Sequence, residues 1–393
     1  MPAAARKIEP TTAGPILHLA FELGAKEWKL GFATGPGRPP RIRKIQAGNL
    51  TGLEKEVEQA KRRLSVAAEG RVVSCYEAGR DGFWLHRYLV SRGGENHVVD
   101  SSSIEVSRRK RRRKSDKLDL KSLLRLLGRH VGGEEGVSSA VNVPSVEAED
   151  RRQLHREIAT LTEERTERTN RIKSLLATQG LRFELAGDFA ERLQGVRLWD
   201  GSPLPSELRG RLEREWVRRE RVAGEIEALE AERWQRLRTV MDDSALEQVR
   251  ALMTLRGIGI KSSWLFVMEF FSWRKFRNQK EVGSLAGLAP TPNQSSEEDQ
   301  SPGIEKAGNV WVRQMATEIA WSWVRNQPDS EITRWFERRF AQAGKRGRRR
   351  GITAVARKVL VALWRYLEDG VITEVNEPFQ RMVVNGVRWS VAG

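Results

Sequence analysis

Asp116 and Asp119 stand three residues apart, at the head of a stretch whose leucines 120, 123, 124 and 127 recur at helical spacing. On a helix two such carboxylates share a face, and Ser115 is placed to cap it. Immediately before them runs Arg111-Arg112-Arg113-Lys114. Cations there would hold a polyanion, and the carboxylates would hold Mg²⁺ against it, because hard divalent cations take oxygen ligands. A solvated helix start, with acids favoured at the positive end of the dipole, accounts for the same residues without a ligand. What separates the two readings is whether further acids converge on this helix.

The elements upstream supply two. Ile16 to Leu23 alternates, with Leu17, Leu19, Phe21 and Leu23 on one face and His18, Ala20 and Glu22 on the other, which is strand periodicity. Trp28, Leu30 and Phe32 mark a second strand, and Pro40 to Gln46 a third. Leu53, Val57, Ala60 and Leu64 lie along an amphipathic helix. Arg71 to Tyr76 is a further short strand that ends at Glu77. Gly82 to Ser91 reads as helix and Asn96 to Asp100 as strand, before the basic run. Glu22 thus falls on the first strand, Glu77 at the end of the fourth and Asp116 and Asp119 on the last helix. Singly, Glu22 reads as an edge-strand carboxylate facing water and Glu77 as a polar strand end. Four converging acids would repel one another and make sense only around divalent cations. Two such ions about 3.5–4 Å apart can clamp the attacking and leaving oxygens of a phosphodiester displacement.

The order of three strands, helix, strand, helix, strand, helix resembles the ribonuclease-H-like fold, which gathers such acids over its central strands. Phe21-Glu22-Leu23, Cys75-Tyr76-Glu77-Ala78 and Lys114-Ser115-Asp116-Lys117-Leu118-Asp119 resemble the acidic tetrad of the DEDD transposases, insertion-sequence recombinases with a RuvC-like N-terminal domain. The resemblance implies that Glu22, Glu77, Asp116 and Asp119 are catalytic metal ligands for Mg²⁺, with Mn²⁺ as the alternative. Glu22 departs from the pattern, which has Asp there. The extra methylene displaces the carboxylate by about a bond length, comparable to the tolerance of a functional site.

Residues 146–250 are highly charged. Leu154, Ile158, Leu161, Ile172 and Leu175 fit one heptad frame, interrupted by Arg165 and Arg168, and Leu208, Leu212, Val222, Ile226 and Leu229 fit another. Gln179-Gly180 and the Gly201 to Pro205 stretch break them apart. The expectation is a long helical hairpin, a coiled-coil arm that pairs with a second subunit or packs on its own domain.

In residues 251–367, Leu255-Arg256-Gly257-Ile258-Gly259-Ile260-Lys261 joins two helical stretches. A turn of this kind, as in helix-hairpin-helix modules, exposes backbone N–H groups to phosphate, although tight turns need glycine for geometry alone. Beyond it come Gly287-Leu288-Ala289-Pro290, a polar loop with Ser295 and Ser296, and Ile304-Glu305-Lys306-Ala307-Gly308-Asn309 ahead of a helix carrying Arg313. By composition these are serines in a loop, with no histidine near in sequence to make a hydrolase triad. The stretch resembles the C-terminal domain of the same transposases. The resemblance implies that Ser295 is the nucleophile toward DNA, with Ser296 where the family has glycine and Glu305 where a serine often precedes the lysine. Lys306 and Arg313 would suit contacts to phosphate. Lys345, Arg346, Arg348, Arg349 and Arg350 form a second basic patch suited to a nucleic-acid backbone. Ile352 to Leu367 reads as a closing helix, and residues 368–393 as an uninformative tail.

Composition sets the bounds. The 393 residues carry 69 Lys and Arg against 52 Asp and Glu, and a net charge of +17 calls for a polyanionic partner, by default nucleic acid. No apolar run approaches a spanning helix, and residues 1–15 read as a flexible N-terminus without a signal region, so a cytoplasmic protein with no membrane partner is expected. The single cysteine, Cys75, excludes an internal disulfide and a cysteine-rich zinc site. The 13 tryptophans are expected to pack more than to stack on bases. No zinc finger or helix-turn-helix offers to read bases. The family delegates target choice to an element-encoded structured RNA and shares its active site between subunits. The resemblance therefore implies DNA (element ends and target), a guide RNA and a homo-oligomer, dimer or tetramer, as partners. Two rivals stand beside a transposase: a metal-dependent junction resolvase that leaves no covalent adduct, and a nucleic-acid-binding relic that cuts nothing.

Overall fold

A computed structural model of the chain describes residues 14–35, 39–79, 82–100, 116–134, 141–289 and 308–370, and of residues 116–119 the backbone alone. The chain divides into two compact units, Met1–Pro144 and Ser145–Gly393.

The first unit is a five-stranded mixed sheet with helices on both faces. Its elements are β1 (Leu17–Leu23), β2 (Glu27–Ala33), β3 (Arg41–Gln46), α1 (Leu50–Arg63), β4 (Val72–Glu77), α2 (Trp84–Ser91), β5 (Glu95–Val99) and α3 (Asp116–Val131). The strand order is β3-β2-β1-β4-β5. β1–β3 form an antiparallel meander, and β4 and β5 lie parallel to β1. These are the elements that the periodicity places, in the expected order. The alternation in β1, however, does not divide a wet face from a dry one. Leu17, Leu19 and Phe21 enter one core with Leu53 and Leu85 from α1 and α2, while Ala20, Val73 and Cys75 enter another with Leu120, Leu123 and Leu127 of α3. β1 is central, which corrects the reading of Glu22 as an edge-strand acid. Burial pushes the Cys75 thiol up to about 12, so it serves as a neutral apolar filler. The edge strand β3 presents Arg41 and Arg43 to the buried Glu56 of α1, each at 3.0 Å.

The second unit is helical. It comprises α4 (Val146–Asp150), α5 (Gln153–Ala177), α6 (Phe189–Gly195), α7 (Ser206–Thr239), α8 (Ser244–Met253), α9 (Ile260–Phe266), a π-helical turn (Val267–Phe271), α10 (Gln279–Leu285), α11 (Val310–Asn326), α12 (Glu331–Phe340) and α13 (Gly344–Asp369). α5 and α7 pack against each other as a hairpin. Far along it, Ile172, Leu176, Phe189, Leu212 and Trp216 make a small core of their own. At its base Leu154, Ile158, Val222 and Ile226 belong to the same core as the buried apolar residues of α8–α13. The hairpin is thus rooted in the C-terminal helices. Arg168, which interrupts the first heptad frame, is engaged internally: it reaches Glu164 at 2.7 Å and the buried Glu215 of α7 at 3.2 Å. Among the described residues no helix is long and apolar enough to cross a membrane.

Asn and Ser side chains cap the helices where the chain turns sharply. Asn278 accepts from Lys280 and Glu281, Asn309 from Val312, and Ser330 from Thr333. α13 begins at Gly344, eight residues ahead of the expected Ile352, and Gly351 within it lets the helix pass close to Phe336 and Phe340 of α12.

Candidate nucleic-acid and metal site

In the first unit the sheet register brings two of the four acids together. β1 and β4 pair in parallel through Phe21 and Tyr76, so the next residues, Glu22 and Glu77, stand side by side at the carboxyl ends of adjacent strands. Their backbones are about 4.8 Å apart. Both continue the alternation of Ala20 and Cys75, which face α3. Glu77 is exposed; Glu22 is half-buried, with its Oε2 3.7 Å from the Nζ of its cross-strand partner Lys29.

The direction of α3 follows from its contacts. A Cβ on Gly128 would lie 3.9 Å from the His18 ring, whereas Leu120 and Leu124 lie against Gly31, which is paired with Ala20. Moving toward the amino end of α3 therefore moves along β1 toward Glu22. The first turn, where Asp116 and Asp119 sit, is directed at the end of the sheet that carries Glu22 and Glu77. The side chains of Asp116 and Asp119 lie outside the described residues, as do Arg111, Arg112, Arg113, Lys114, Ser295, Ser296 and Lys306. Among the described residues no three His, Cys, Asp or Glu gather closely enough to hold a metal ion. The donor chemistry fits a hard divalent cation: Glu22 and Glu77 offer carboxylate oxygens on adjacent strands, and the Lys29 ammonium at 3.7 Å supplies only part of the positive charge that the two acids would take.

In the second unit Gly257 adopts φ +83°, which explains the glycine by geometry, and Gly259 caps the short α9, with Ser262 Oγ accepting from its N–H at 3.1 Å. Lys261 is exposed and Arg313 half-buried. Lys345, Arg346, Arg349 and Arg350 are exposed on the first turns of α13, the positive end of its dipole, where cations repel each other and the helix. An anion would relieve both. Arg348 instead reaches Glu337 at 3.4 Å and lies over the Phe336 ring.

One cluster escapes a reading by motif. Glu269, in the π-helical turn, is fully buried and accepts from His155 Nε2 at 2.9 Å, Arg156 Nε at 2.6 Å, Arg156 Nη2 at 3.0 Å and Asn309 Nδ2 at 3.1 Å. Burial alone would raise its pKa, but the hydrogen bonds and charges of His155 and Arg156 hold it down at about 2. The available signal was one acid inside the apolar run Leu265-Phe266-Val267-Met268-Glu269-Phe270-Phe271. Asn309 ends the segment that contains Ser295, and its N–H donates to the Leu285 carbonyl at 2.9 Å. Gly308 has φ +104°, and a Cβ there would come within 2.6 Å of Gly287 N and Leu285 O. The segment's two ends thus meet backbone to backbone. Gly308→Ala should cost about 1–3 kcal/mol, seen as a lower urea midpoint at unchanged m-value, since neither the positive φ nor the backbone contact can relax cheaply.

Residues 249–333 match the family model described as Transposase IS116/IS110/IS902 family. The chain is similar to a Sinorhizobium fredii (strain NBRC 101917 / NGR234) protein named "Putative transposase y4rJ", at 39% identity over 371 residues, 91% of this chain and 93% of the relative. A second protein of that strain, y4qE, carries the same description and is 25% identical over 281 residues, 70% of this chain and 64% of the relative.

Proposed function

The chain belongs to the IS116/IS110/IS902 transposase family, and from that premise we propose that it cuts and rejoins DNA strands through a phosphoserine intermediate. The observation that carries this reading is the side-by-side placement of Glu22 and Glu77 on adjacent parallel strands, with the start of α3 directed at them. We read the first unit as RNase-H-like, with Glu22, Glu77, Asp116 and Asp119 as the residues that would hold Mg²⁺ or Mn²⁺. Such an ion, when bound, supplies Lewis-acid polarisation of phosphoryl oxygens.

The chain's own residues do the rest. The Ser295 hydroxyl loses its proton and its Oγ forms a bond to phosphorus, while one bond from phosphorus to a deoxyribose oxygen breaks and that oxygen is protonated. Rejoining is the reverse step with a new strand's hydroxyl. Each step exchanges one phosphodiester linkage for another of similar energy, so no nucleotide hydrolysis is needed. Lys306 and Arg313 orient the phosphate, and Arg111–Lys114 and the exposed cations of α13 hold the backbone without reading sequence. The base-reading task falls to an element-encoded RNA, and the acids of one subunit act with the serine of another.

The test is a denaturing gel for a covalent protein–DNA adduct, with DNA spanning the element's ends and RNA transcribed from the element. Wild type in Mg²⁺ should form the adduct; wild type in EDTA and Asp116→Ala should not. Cleavage without an adduct would identify a resolvase, and salt-sensitive binding without cleavage a relic.

A further inference from the structure

Beside α3 lies a cavity of about 560 Å³ that none of the residues above accounts for. Its volume falls within the roughly 300–1,000 Å³ typical of small-molecule sites. Of its lining residues, His18, Ala33 and Leu124 are buried and Gly128 half-buried, and we take these four as its floor; Pro39 and Pro40 also line it. Lys121, Arg125 and Arg129 line it from α3. These three are spaced four apart and therefore stack on one face of the helix.

Like charges at that spacing destabilise a helix unless something neutralises them. Arg129 is relieved by Glu134, at 2.6 Å. Lys121 and Arg125 are exposed, and among the described residues neither has a carboxylate partner and no acid lines the cavity. The upper part therefore selects an anion. The floor selects something else. His18 is 7% exposed, its ring has no hydrogen-bond partner among the described residues, and it borders the cavity. Burial holds its pKa below the ordinary value, so the neutral ring can give one hydrogen bond and take another. A bare phosphate would leave this ring and the apolar floor unused. A nucleotide uses both, with a flat base for the floor and a phosphate for the cations.

We propose that this cavity binds one nucleotide of a single-stranded nucleic acid, its base seated against His18, Leu124 and Gly128 and its phosphate between Lys121 and Arg125. His18 and Glu22 are four residues apart on β1, which is about 13 Å. A strand anchored in the cavity would thus run along α3 toward the carboxylates. The inference rests on the nucleic-acid partner of the proposed function but requires no strand chemistry.

Gly128 supplies the decisive variant. Its Cβ position is open apart from the His18 ring at 3.9 Å, so Gly128→Leu fills the cavity while favouring the helix. The full-length protein would be titrated by fluorescence anisotropy with labelled (dT)12, (rU)12 and a 12-residue abasic deoxyribose-phosphate strand. Wild type should bind the base-bearing strands on the order of tenfold more tightly than the abasic one. Gly128→Leu, with unchanged circular dichroism and thermal midpoint, should bring that ratio to about one. Lys121→Ala/Arg125→Ala should weaken all three strands and reduce the salt slope by about one. The DNA and RNA arms show which strand the site prefers. A ratio that survives Gly128→Leu, or a salt slope untouched by the double substitution, would overturn the proposal. Neither measurement depends on cleavage, so loss of strand transfer in the adduct gel would leave this result standing.

Discussion

Ser295→Ala protein should bind DNA normally and yet form no covalent adduct, with strand transfer reduced by at least about 10³-fold. The size follows from the role. Removing a nucleophile removes the bond-forming atom itself, and losses of about 10⁴–10⁶ are usual when nothing replaces it. Ser296→Ala should retain the adduct. Consecutive residues are about 3.8 Å apart along the chain, and a displacement of about 1 Å already costs about two orders of magnitude in an aligned displacement. The rates would be read as band intensity against time on denaturing gels, with anisotropy recording DNA affinity in parallel. An adduct that persists in Ser295→Ala and disappears in Ser296→Ala would move the nucleophile by one residue. Loss of both binding and adduct would assign Ser295 a structural role.

Glu269→Ala should be the most destabilising of these substitutions, by about 3–5 kcal/mol, because it strands buried His155 and the inner side of Arg156 without their acceptor. Glu269→Gln keeps an acceptor oxygen but loses the charge, and should fall between the wild type and Glu269→Ala. The same carboxylate sets an acid limit. Its pKa is depressed from 4.5 to about 2, so the stability it contributes is fully present above about pH 4.5 and is lost as the pH falls toward 2. A shift of that size corresponds to about 3 kcal/mol. Urea unfolding at pH 7 and pH 3 measures both. The wild type should lose stability between them, and the pH-dependent part should shrink in Glu269→Gln. Equal losses in both proteins would place the acid sensitivity elsewhere.

The strands of the first unit were legible because alternation survives even where both faces are buried: Leu17, Leu19 and Phe21 are larger than Ala20, and the size difference marks the faces. What alternation does not carry is strand order, so the central position of β1, and with it the neighbourhood of Glu22 and Glu77, came only with the register. The arginines in the arm show the same limit. Arg168 breaks a heptad in the sequence, but its partner Glu215 is 47 residues away, and no local pattern links them. The Glu269 cluster draws on α5, the π-helical turn and the cap of α11, so its parts look ordinary in isolation. The cavity beside α3 is a further case. His18 reads simply as the polar side of a strand until Gly128 leaves a space in front of it.

The mixed topology of the sheet also sets an order of events as the chain is made. The meander β1–β3 pairs strands that are neighbours in sequence, whereas β4 follows α1 before it lies parallel to β1. Pairings between distant segments bear the loop-closure cost first and form slowly. Glu22 therefore spends the early life of the nascent chain with only Lys29 opposite it. Glu77 reaches its place only when β4 pairs with β1, and the face of both strands that carries Ala20, Val73 and Cys75 stays uncovered until α3, the last element of the unit, docks on it. Repulsion between like charges on neighbouring strands opposes that pairing, and the apolar face of α3 offsets it. The sheet and the helix that carry the acids therefore complete each other late, as one cooperative step.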